Sequence, residues 1–437
     1  MSNVPVSTAF RFWLKLGFIS FGGPAGQIAI MHQELVERRR WISEGRFLHA
    51  LNYCMLLPGP EAQQLATYIG WLMHRTWGGL IAGGLFVLPS LLILVALSYL
   101  YVAYGKVPAV AAFFYGMKPA VVAIVAFAAW RIGARVLRNP VLITIAVLAF
   151  IALFFFAVPF PVIVIGAAIL GVIAARINPG SFQAAAHAPR AAGEGGALID
   201  DHAPPPLHAK FSWGRLAWVL GAGVALWLIA MSALVTIEGG HGTLSTMAAF
   251  FTKAAMVTFG GAYAVLPYVN QAAVEQYGWL TAAQMIDGLA LGETTPGPLI
   301  MVVSFVGYVG AWTHAASTLA PWLAGIAGAL VATFFTFLPS FVFIFAGGPL
   351  VEATRGQRVF VAPLAAITAA VVGVIANLAT YFAGHVFWPA GVTQAPDLMS
   401  MTLAIAAALA LFWFRLSVIP VILACGAAGL IIRLTAG

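Results

Sequence analysis

Residues 20–23 read Ser-Phe-Gly-Gly, and residues 258–261 read Thr-Phe-Gly-Gly. The two copies are 238 residues apart, and two later motifs recur at the same spacing. Matches of two or three residues are common in apolar sequence, but three motifs in one ungapped register indicate an internal duplication. The later pairs are Trp41-Ile42-Ser43 with Trp279-Leu280-Thr281, and Pro58-Gly59-Pro60 with Pro296-Gly297-Pro298.

The composition of the chain places this duplication in a membrane. Of the 437 residues, 62% are hydrophobic and only 8% are charged, and the mean hydropathy is +0.98. A soluble domain carries about 25% charged residues, because its surface must stay hydrated. This excludes a soluble enzyme, a nucleic-acid-binding protein and a disordered protein, and two cysteines are too few for a disulfide scaffold. The composition indicates a polytopic integral membrane protein.

Long apolar runs without strict alternation predict helices rather than a β-barrel. We expect an all-α fold of about thirteen transmembrane helices in two homologous repeats. One extra crossing between the repeats would make the second repeat inverted relative to the first. The polar, proline-rich stretch 178–212 predicts a flexible linker. The predicted division is residues 1–177 for the first repeat, 178–212 for the linker, 213–245 for the extra inverting helix and 246–437 for the second repeat.

The distribution of Lys and Arg predicts a cytoplasmic N-terminus. With that end inside, thirteen basic residues fall on the cytoplasmic side and six on the outside, as the positive-inside rule requires. The cluster from Arg38 to Arg46 opposes this orientation, and it would move inside if residues 8–30 formed a re-entrant hairpin. No cleavable signal peptide is expected, because Arg11 and Lys15 interrupt the first apolar stretch.

The motifs also carry a family resemblance. The stretch from Phe21 to Trp41, the later LLPGPEAQQLATYIGW and FVLPS resemble the signature region of the chromate ion transporter family. TFGGAYAVLPYVNQ, TTPGP and FLPS in the second half resemble the matching region of that family's long, two-domain members. The resemblance implies efflux of chromate across a bacterial inner membrane, in exchange for protons, with sulfate as the isosteric competitor. It implies no enzyme activity and no metal cofactor.

The Gly-Gly and Pro-Gly-Pro motifs combine residues that break a helix with a proline that can begin one. Helix N-termini present free N–H groups and a partial positive charge, so such breaks suit a tetrahedral dianion. The alternative is that these glycines only permit close contact between helices. The predicted substrate-binding residues are Lys15, Gly22, Gly23, Pro58, Gly59, Pro60, Gln63, Lys253, Gly260, Gly261, Pro296, Gly297 and Pro298.

The charged candidates have alternative roles. Lys15 and Lys253 occupy equivalent positions in apolar spans, where a cation usually faces a cavity or a counter-ion, although a lysine near a helix end can also reach the interface. Glu61 and Glu293 flank the Pro-Gly-Pro motifs and are the candidate proton carriers. They could instead be counter-ions for the lysines or carboxylates stabilised at a helix start. Gln63 is expected to donate a neutral hydrogen bond to the oxyanion or to form a helix contact.

The leading functional hypothesis is a secondary active transporter of an oxyanion. A membrane-embedded enzyme or scramblase acting on an anionic lipid head group is the alternative from another class, and a channel is a third. The nine histidines show no metal-ligand spacing and no nucleophile–base pair is apparent, so neither a metal site nor catalytic residues are predicted. The expected partners are chromate or sulfate, the lipid bilayer and a second copy of the chain in a homodimer. Nucleic acid is not expected.

Overall fold

The fold comes from a computed structural model, and the structure describes residues 4–21, 23–177, 197–200, 206–259, 261–314, 319–353, 361–391 and 393–436. Within these ranges the regular secondary structure is helical, apart from one isolated bridge between Ile42 and Ile199. The predicted all-α fold is confirmed. The first half contains α1 (Val6–Ile19), α2 (Gly23–His32), α3 (Glu44–Cys54), α4 (Glu61–Tyr104), α5 (Pro108–Val136), α6 (Pro140–Phe156) and α7 (Phe160–Ile177). The second half contains α8 (Trp213–Glu238), α9 (Thr243–Val257), α10 (Ala262–Asn270), α11 (Ala282–Thr294), α12 (Val302–His314), α13 (Pro321–Ala353), α14 (Val361–Phe387), α15 (Leu398–Phe412) and α16 (Val418–Ala436).

Seven helices in the described part of the chain are long and apolar enough to cross a membrane. They are α4, α5, α7, α8, α13, α14 and α16. Shorter apolar helices occupy residues 140–156, 299–314 and 398–412. These lengths make the chain a multi-pass membrane protein, because about 20 apolar helical residues cover the hydrocarbon core.

The two halves contain the same elements in the same register. Helix α3 begins at Glu44 and α11 begins at Ala282, which is 238 residues later. Helix α2 continues as a π-helical turn over Gln33–Arg38, and α10 continues as one over Gln271–Gln276, again at the same spacing. A π-helix is rare, so its presence at both equivalent positions shows that the duplicated sequence has a duplicated structure.

Two predicted spans in each half are broken helices. The predicted span 8–30 consists of α1, which ends at Ile19, and α2, which begins at Gly23. In the second half α9 ends at Val257 and α10 begins at Ala262. The second break separates α3 from α4 at the first Pro-Gly-Pro and α11 from α12 at the second. Proline lacks the N–H that continues a helix and glycine adopts positive φ, so these breaks lie where the sequence permits them.

Helix α4 consists of two segments that are joined by a sharp bend and pack against each other. The backbone leaves the helical region at His74 (φ −134°, ψ 32°) and Arg75 (φ 56°, ψ −154°). The segments on either side then cross at Gly70 and Gly78, where a Cβ on either glycine would overlap the carbonyl oxygen of the other. Glycines allow this approach because they carry no side chain. A second pair of glycines brings α12 and α13 equally close.

Helix α8 lies outside the duplicated register and on the surface of the helix bundle. Gly223 is its one buried residue. Its apolar side chains are largely exposed, among them Trp218 at 74% and Ile229 at 65%. In a membrane protein such a surface faces lipid.

The predicted linker lies mostly outside the described residues, but two described pieces of it contact the first half. The Ser43 N–H donates to the Ile199 carbonyl oxygen at 3.0 Å, and the Ile199 N–H donates to the Trp41 carbonyl oxygen at 3.1 Å. His208 Nε2 lies 3.0 Å from the Trp71 carbonyl oxygen. These pieces of the linker are therefore fixed against the first half.

Candidate functional site

The glycines of the two Pro-Gly-Pro turns have a backbone that other residues rarely adopt. Gly59 has φ +129° and Gly297 has φ +100°. Each lies between two prolines, and the residue before a proline is also kept away from the α region. A Cβ would be strained at both positions. The positive φ angles alone therefore explain why both turns contain glycine, whether or not a ligand binds there.

Each turn is closed by a hydrogen bond from the other repeat. The Gly59 N–H donates to the Thr258 carbonyl oxygen at 2.7 Å, and the Gly297 N–H donates to the Ser20 carbonyl oxygen at 2.8 Å. Thr258 and Ser20 are equivalent residues, each at the end of a broken helix. Contacts that exchange equivalent partners are the mark of a two-fold relation. The four helix breaks therefore meet in one central region, which we call the central site.

Two serine hydroxyl groups face the turns across the same two-fold relation. A Cβ added to Gly59 would overlap Ser340 Oγ, and one added to Gly297 would lie 2.7 Å from Ser90 Cβ and 3.2 Å from Ser90 Oγ. Both serines are 1% exposed, and neither hydroxyl has a hydrogen-bond partner among the described residues. An unpartnered buried hydroxyl is costly, so a ligand is the natural partner for each. These serines were not among the predicted residues, although they end Leu88-Pro89-Ser90 and Leu338-Pro339-Ser340, which recur 250 residues apart.

Three glutamine side chains complete the polar lining. Gln63 Nε2 donates to Thr67 Oγ1 at 3.0 Å, and Gln64 Nε2 donates to the Pro58 carbonyl oxygen at 2.8 Å. Gln27 Nε2 donates to the Gly297 carbonyl oxygen at 2.5 Å. All three residues are buried. The sequence already suggested Gln63 and Gln64 as neutral donors, whereas Gln27 enters the site only through the tertiary structure.

Three helix starts converge beside the first turn. Helix α4 begins at Glu61, directly after Pro60, and α10 begins directly after Gly261. A Cβ on Gly261 would lie 3.8 Å from Pro24 Cγ in the first turn of α2 and 3.9 Å from Glu61 Oε1. The free N–H groups and the positive dipole ends of α2, α4 and α10 therefore point into one region, which favours an anion.

The two candidate proton carriers have different surroundings. Glu61 Oε1 lies beside Gly261 at the helix starts. Glu293 Oε1 accepts a hydrogen bond from the Tyr263 hydroxyl at 2.5 Å. The equivalent positions in the opposite repeats hold Leu299 and Met55. The two carboxyl groups are therefore not at equivalent positions, and the surroundings of the two turns differ in this respect.

The remaining predicted residues divide into three groups. Pro60 and Pro298 immediately precede helical segments and are buried, together with Pro296, whereas Pro58 is half-buried. Lys15 and Lys253 are exposed, and the structure records no hydrogen bond or ion pair for either within the described ranges. Gly22 and Gly260 lie outside the described residues, whereas Gly23 opens α2 with φ +70° and Gly261 precedes α10 with φ +92°.

No metal site is found in the described part of the chain. Within the described ranges, no three or more His, Cys, Asp or Glu residues lie together in a group that could hold an ion. Cys54 and Cys425 are free and buried. The central site offers hydroxyl groups, amides and backbone N–H groups, which bind an anion by hydrogen bonds.

Comparison with known proteins gives one family. The sequence profile of the chromate transporter family matches residues 7–172 and 245–430. A chromate transport protein of Pseudomonas aeruginosa is 33% identical over 429 residues, which cover 96% of this chain and 91% of that protein. A chromate transport protein of Cupriavidus metallidurans is 30% identical over 83% of this chain and 79% of that protein. The uncharacterized transporter YwrA of Bacillus subtilis is 29% identical over 29% of this chain and 70% of its own length. No solved structure matches the chain significantly.

Proposed function

The chain belongs to the chromate transporter family, and we propose that it is a secondary active transporter that moves chromate out of the cell, with sulfate as a competing substrate. The relatives named as chromate transport proteins support the substrate. Chromate and sulfate are both tetrahedral dianions, so a site that binds one by hydrogen bonds admits the other.

The main support for this proposal is the pair of hydrogen bonds by which the glycine of each Pro-Gly-Pro turn donates to the other repeat. It brings equivalent helix breaks of both repeats together, with the unpartnered hydroxyls of Ser90 and Ser340 beside the glycines. A dianion placed there would accept hydrogen bonds from these hydroxyls and lie near positive helix ends. A site shared by both repeats is also the arrangement that alternating access requires, because each repeat can close it from one side.

The proposal includes coupling to protons. Glu61 and Glu293 are the carboxyl groups next to the turns, and Tyr263 holds Glu293 in place. Removing a carboxyl group from water disfavours its charged form, so a group near the central site can exchange a proton as the anion arrives or leaves. In this mechanism the proton gradient drives anion movement, and no covalent chemistry is involved.

We also propose the topology that this mechanism needs. Residues 1–177 and 246–437 would form repeats of opposite orientation, joined by the linker 178–212 and the extra helix 213–245, in the bacterial inner membrane with a cytoplasmic N-terminus. The exposed equivalent residues Arg38 and Gln276 test the inversion. Single cysteines at these positions should react with an impermeant thiol reagent from opposite sides of the membrane, since Cys54 and Cys425 are buried. Labelling of both from the same side would contradict the inversion.

Flux in reconstituted vesicles tests the function. Purified protein in proteoliposomes should take up labelled chromate in a saturable manner, sulfate should compete, and an imposed pH gradient should change the rate. A wild-type protein that moves no oxyanion but modifies or flips an anionic lipid would overturn the proposal in favour of the lipid-directed alternative. Flux that does not respond to the pH gradient would support transport but contradict the proposed coupling to protons.

A further inference from the structure

A buried ion pair lies away from the central site, between α5 and α11. The Asp287 side chain is 4% exposed, and its Oδ2 lies 3.6 Å from Lys118 Nζ and accepts a hydrogen bond from the Tyr101 hydroxyl at 2.9 Å. Its other oxygen, Oδ1, is buried without a hydrogen-bond partner among the described residues. Ionisable side chains inside membrane spans are costly to bury and usually serve a function. The motif analysis selected none of these three residues.

A cavity of about 350 Å³ reaches this ion pair. Its lining includes Lys106 in the loop between α4 and α5, Gln284 in the first turn of α11 and Thr313 near the end of α12. Lys118 lies ten residues into α5, which corresponds to about 15 Å along a helix. Half of a typical hydrocarbon core is also about 15 Å. The cavity therefore leads from the loop between α4 and α5 into the helix bundle, toward α11.

The cavity and the second Pro-Gly-Pro turn are connected by one short helix. Asp287 lies on α11, seven residues before its end at Thr294, and the turn begins at Pro296. Seven helical residues span about 10 Å. Displacement of Asp287 would therefore act on the helix that ends at Thr294, just before the second Pro-Gly-Pro turn.

The charges in this cavity suit an anion. Lys106 and Lys118 provide two positive groups, and Asp287 provides one negative group. At 3.6 Å the Lys118 ammonium is paired with Asp287 but is too far away for a hydrogen bond. The ammonium group is 27% exposed and can therefore also donate to an oxyanion in the cavity, while the ion pair keeps Asp287 from remaining an uncompensated buried charge.

We propose that this cavity is a second oxyanion-binding site, at which an arriving dianion displaces Asp287 from Lys118 on its route to the central site. In this arrangement Asp287 competes with the substrate for Lys118, because its carboxylate pairs with the Lys118 ammonium group when no substrate is present. Competition keeps the anion bound loosely enough to move on, as conduction through successive sites requires. This inference rests on the proposed oxyanion transport and assigns its access route.

Binding of sulfate to the purified protein in detergent, measured by titration calorimetry, tests the proposal independently of flux. Lys118→Gln should weaken sulfate binding about tenfold, because the main attraction in the cavity is lost. Asp287→Asn should strengthen binding several-fold, because the competitor is neutralised while its shape is kept. Lys210→Gln is the matched control: it removes one exposed positive charge outside the cavity, and binding should not change.

The double variant Lys118→Gln with Asp287→Asn controls for misfolding, since it leaves neither member of the ion pair without its partner. It should bind sulfate as weakly as Lys118→Gln. Sulfate binding at wild-type strength in the double variant, or weaker binding in Asp287→Asn, would overturn the proposal. Chromate flux distinguishes failure of the proposed transport from failure of the second site. If the wild-type protein shows no flux, the proposed function is wrong. If Lys118→Gln transports chromate with an unchanged KM, only the second site is wrong.

Discussion

The two Pro-Gly-Pro turns have the same backbone but different surroundings. In the first repeat, two of the ten residues of α2 and four of the eleven residues of α3 are buried. In the second repeat, eight of the thirteen residues of α11 are buried. The helices that follow the two turns are equally buried, over Ala62–Leu72 in α4 and over Val302–Ala311 in α12. The helix that precedes the first turn is thus more exposed than the helix that precedes the second. Segments with fewer buried contacts open at lower free energy, so we expect the first turn to be the more mobile one.

The helices next to the turns also differ in how they are held. In the first repeat Arg38 Nη1 lies 2.6 Å from Glu34 Oε1, and His32 Nε2 lies 2.7 Å from Glu44 Oε2. The equivalent positions in the second repeat carry no charge. They hold Asn270, Ala272, Gln276 and Ala282. The helices next to the first turn are therefore stabilised by charge pairs near the surface, and those next to the second turn by burial of apolar residues. Two turns with the same sequence can thus differ in stability.

The largest effect should come from a side chain at the turn glycines. Gly59→Val and Gly297→Val would each force a β-branched residue into positive φ and against Ser340 or Ser90, so chromate flux should fall at least about tenfold in both. Gly297→Val should also reduce the yield of folded protein, because the helix before its turn is more buried than the one before the first turn. Flux in proteoliposomes, normalised to inserted protein, measures both variants. Gly221→Val in α8, where a Cβ meets nothing within 4 Å, is the control. Near-normal flux in both turn variants would mean that the substrate passes elsewhere.

Removal of the paired hydroxyls should have the next largest effect. Ser90→Ala and Ser340→Ala delete one hydrogen bond to the anion each, and a hydrogen bond to a charged group is worth about 1.5–3 kcal/mol. The KM for chromate should therefore rise about tenfold or more. Protein yield should be kept, because neither hydroxyl has a protein partner among the described residues. Ser232→Ala on the exposed side of α8 serves as the control. Unchanged KM values in both variants would show that the serines do not contact substrate.

A smaller effect is expected from the symmetric lysines. Lys15→Ala and Lys253→Ala should each reduce chromate flux two- to fivefold while leaving expression intact, because an exposed cation attracts the anion only through solvent. The loss should shrink as ionic strength rises, which flux at low and high salt would reveal. Wild-type rates in both variants at low salt would show that the lysines only extend to the membrane interface.

The smallest effect concerns stability. Burial acts to raise the pKa of Glu34, but hydrogen bonds and charge from Arg38 and then Arg39 hold that pKa below its usual value. Its contribution to stability is therefore present at neutral pH and is lost as the pH falls through the acidic range. Glu34→Gln should cost at most about 1 kcal/mol at pH 7, since Arg38 is largely exposed. Thermal unfolding of the variant and the wild type should differ at pH 7 and coincide near pH 3. An equal difference at both pH values would contradict the ion-pair explanation.

The sequence predicted the helical class, the duplication and the residues at the breaks, because these depend on composition, spacing and local backbone preference. It left open whether residues 8–30 cross or re-enter the membrane, and in the structure α1 ends at Ile19 and α2 begins at Gly23. The glycines that permit that break were visible in the sequence. The fold at His74 and Arg75 was not, because neither residue is a usual turn former and the close contact of Gly70 with Gly78 exists only in the tertiary structure.

The candidate site was predicted in part for the same reason. Gly59 and Gly297 follow from the repeated motifs, and the structure brings them to one region, whereas the Gln63 amide donates to Thr67 on its own helix. Ser90 and Ser340 could have been found from their repeated motif, but their value lies in having no protein partner, which only a three-dimensional structure can reveal. Lys118 and Asp287 are single charged residues on separate helices with no repeated counterparts, so nothing in the sequence pairs them.

The reciprocal hydrogen bonds have a consequence for biosynthesis. Gly59 can donate its N–H to Thr258 only after some two hundred further residues have left the ribosome. Until then the first turn has a polar group without its final acceptor, in a segment destined for the membrane, where unpaired backbone is costly. The nascent first half therefore lacks this acceptor until α9 has been made. The second turn is completed later still, when Gly297 has been made and its N–H reaches the Ser20 carbonyl oxygen.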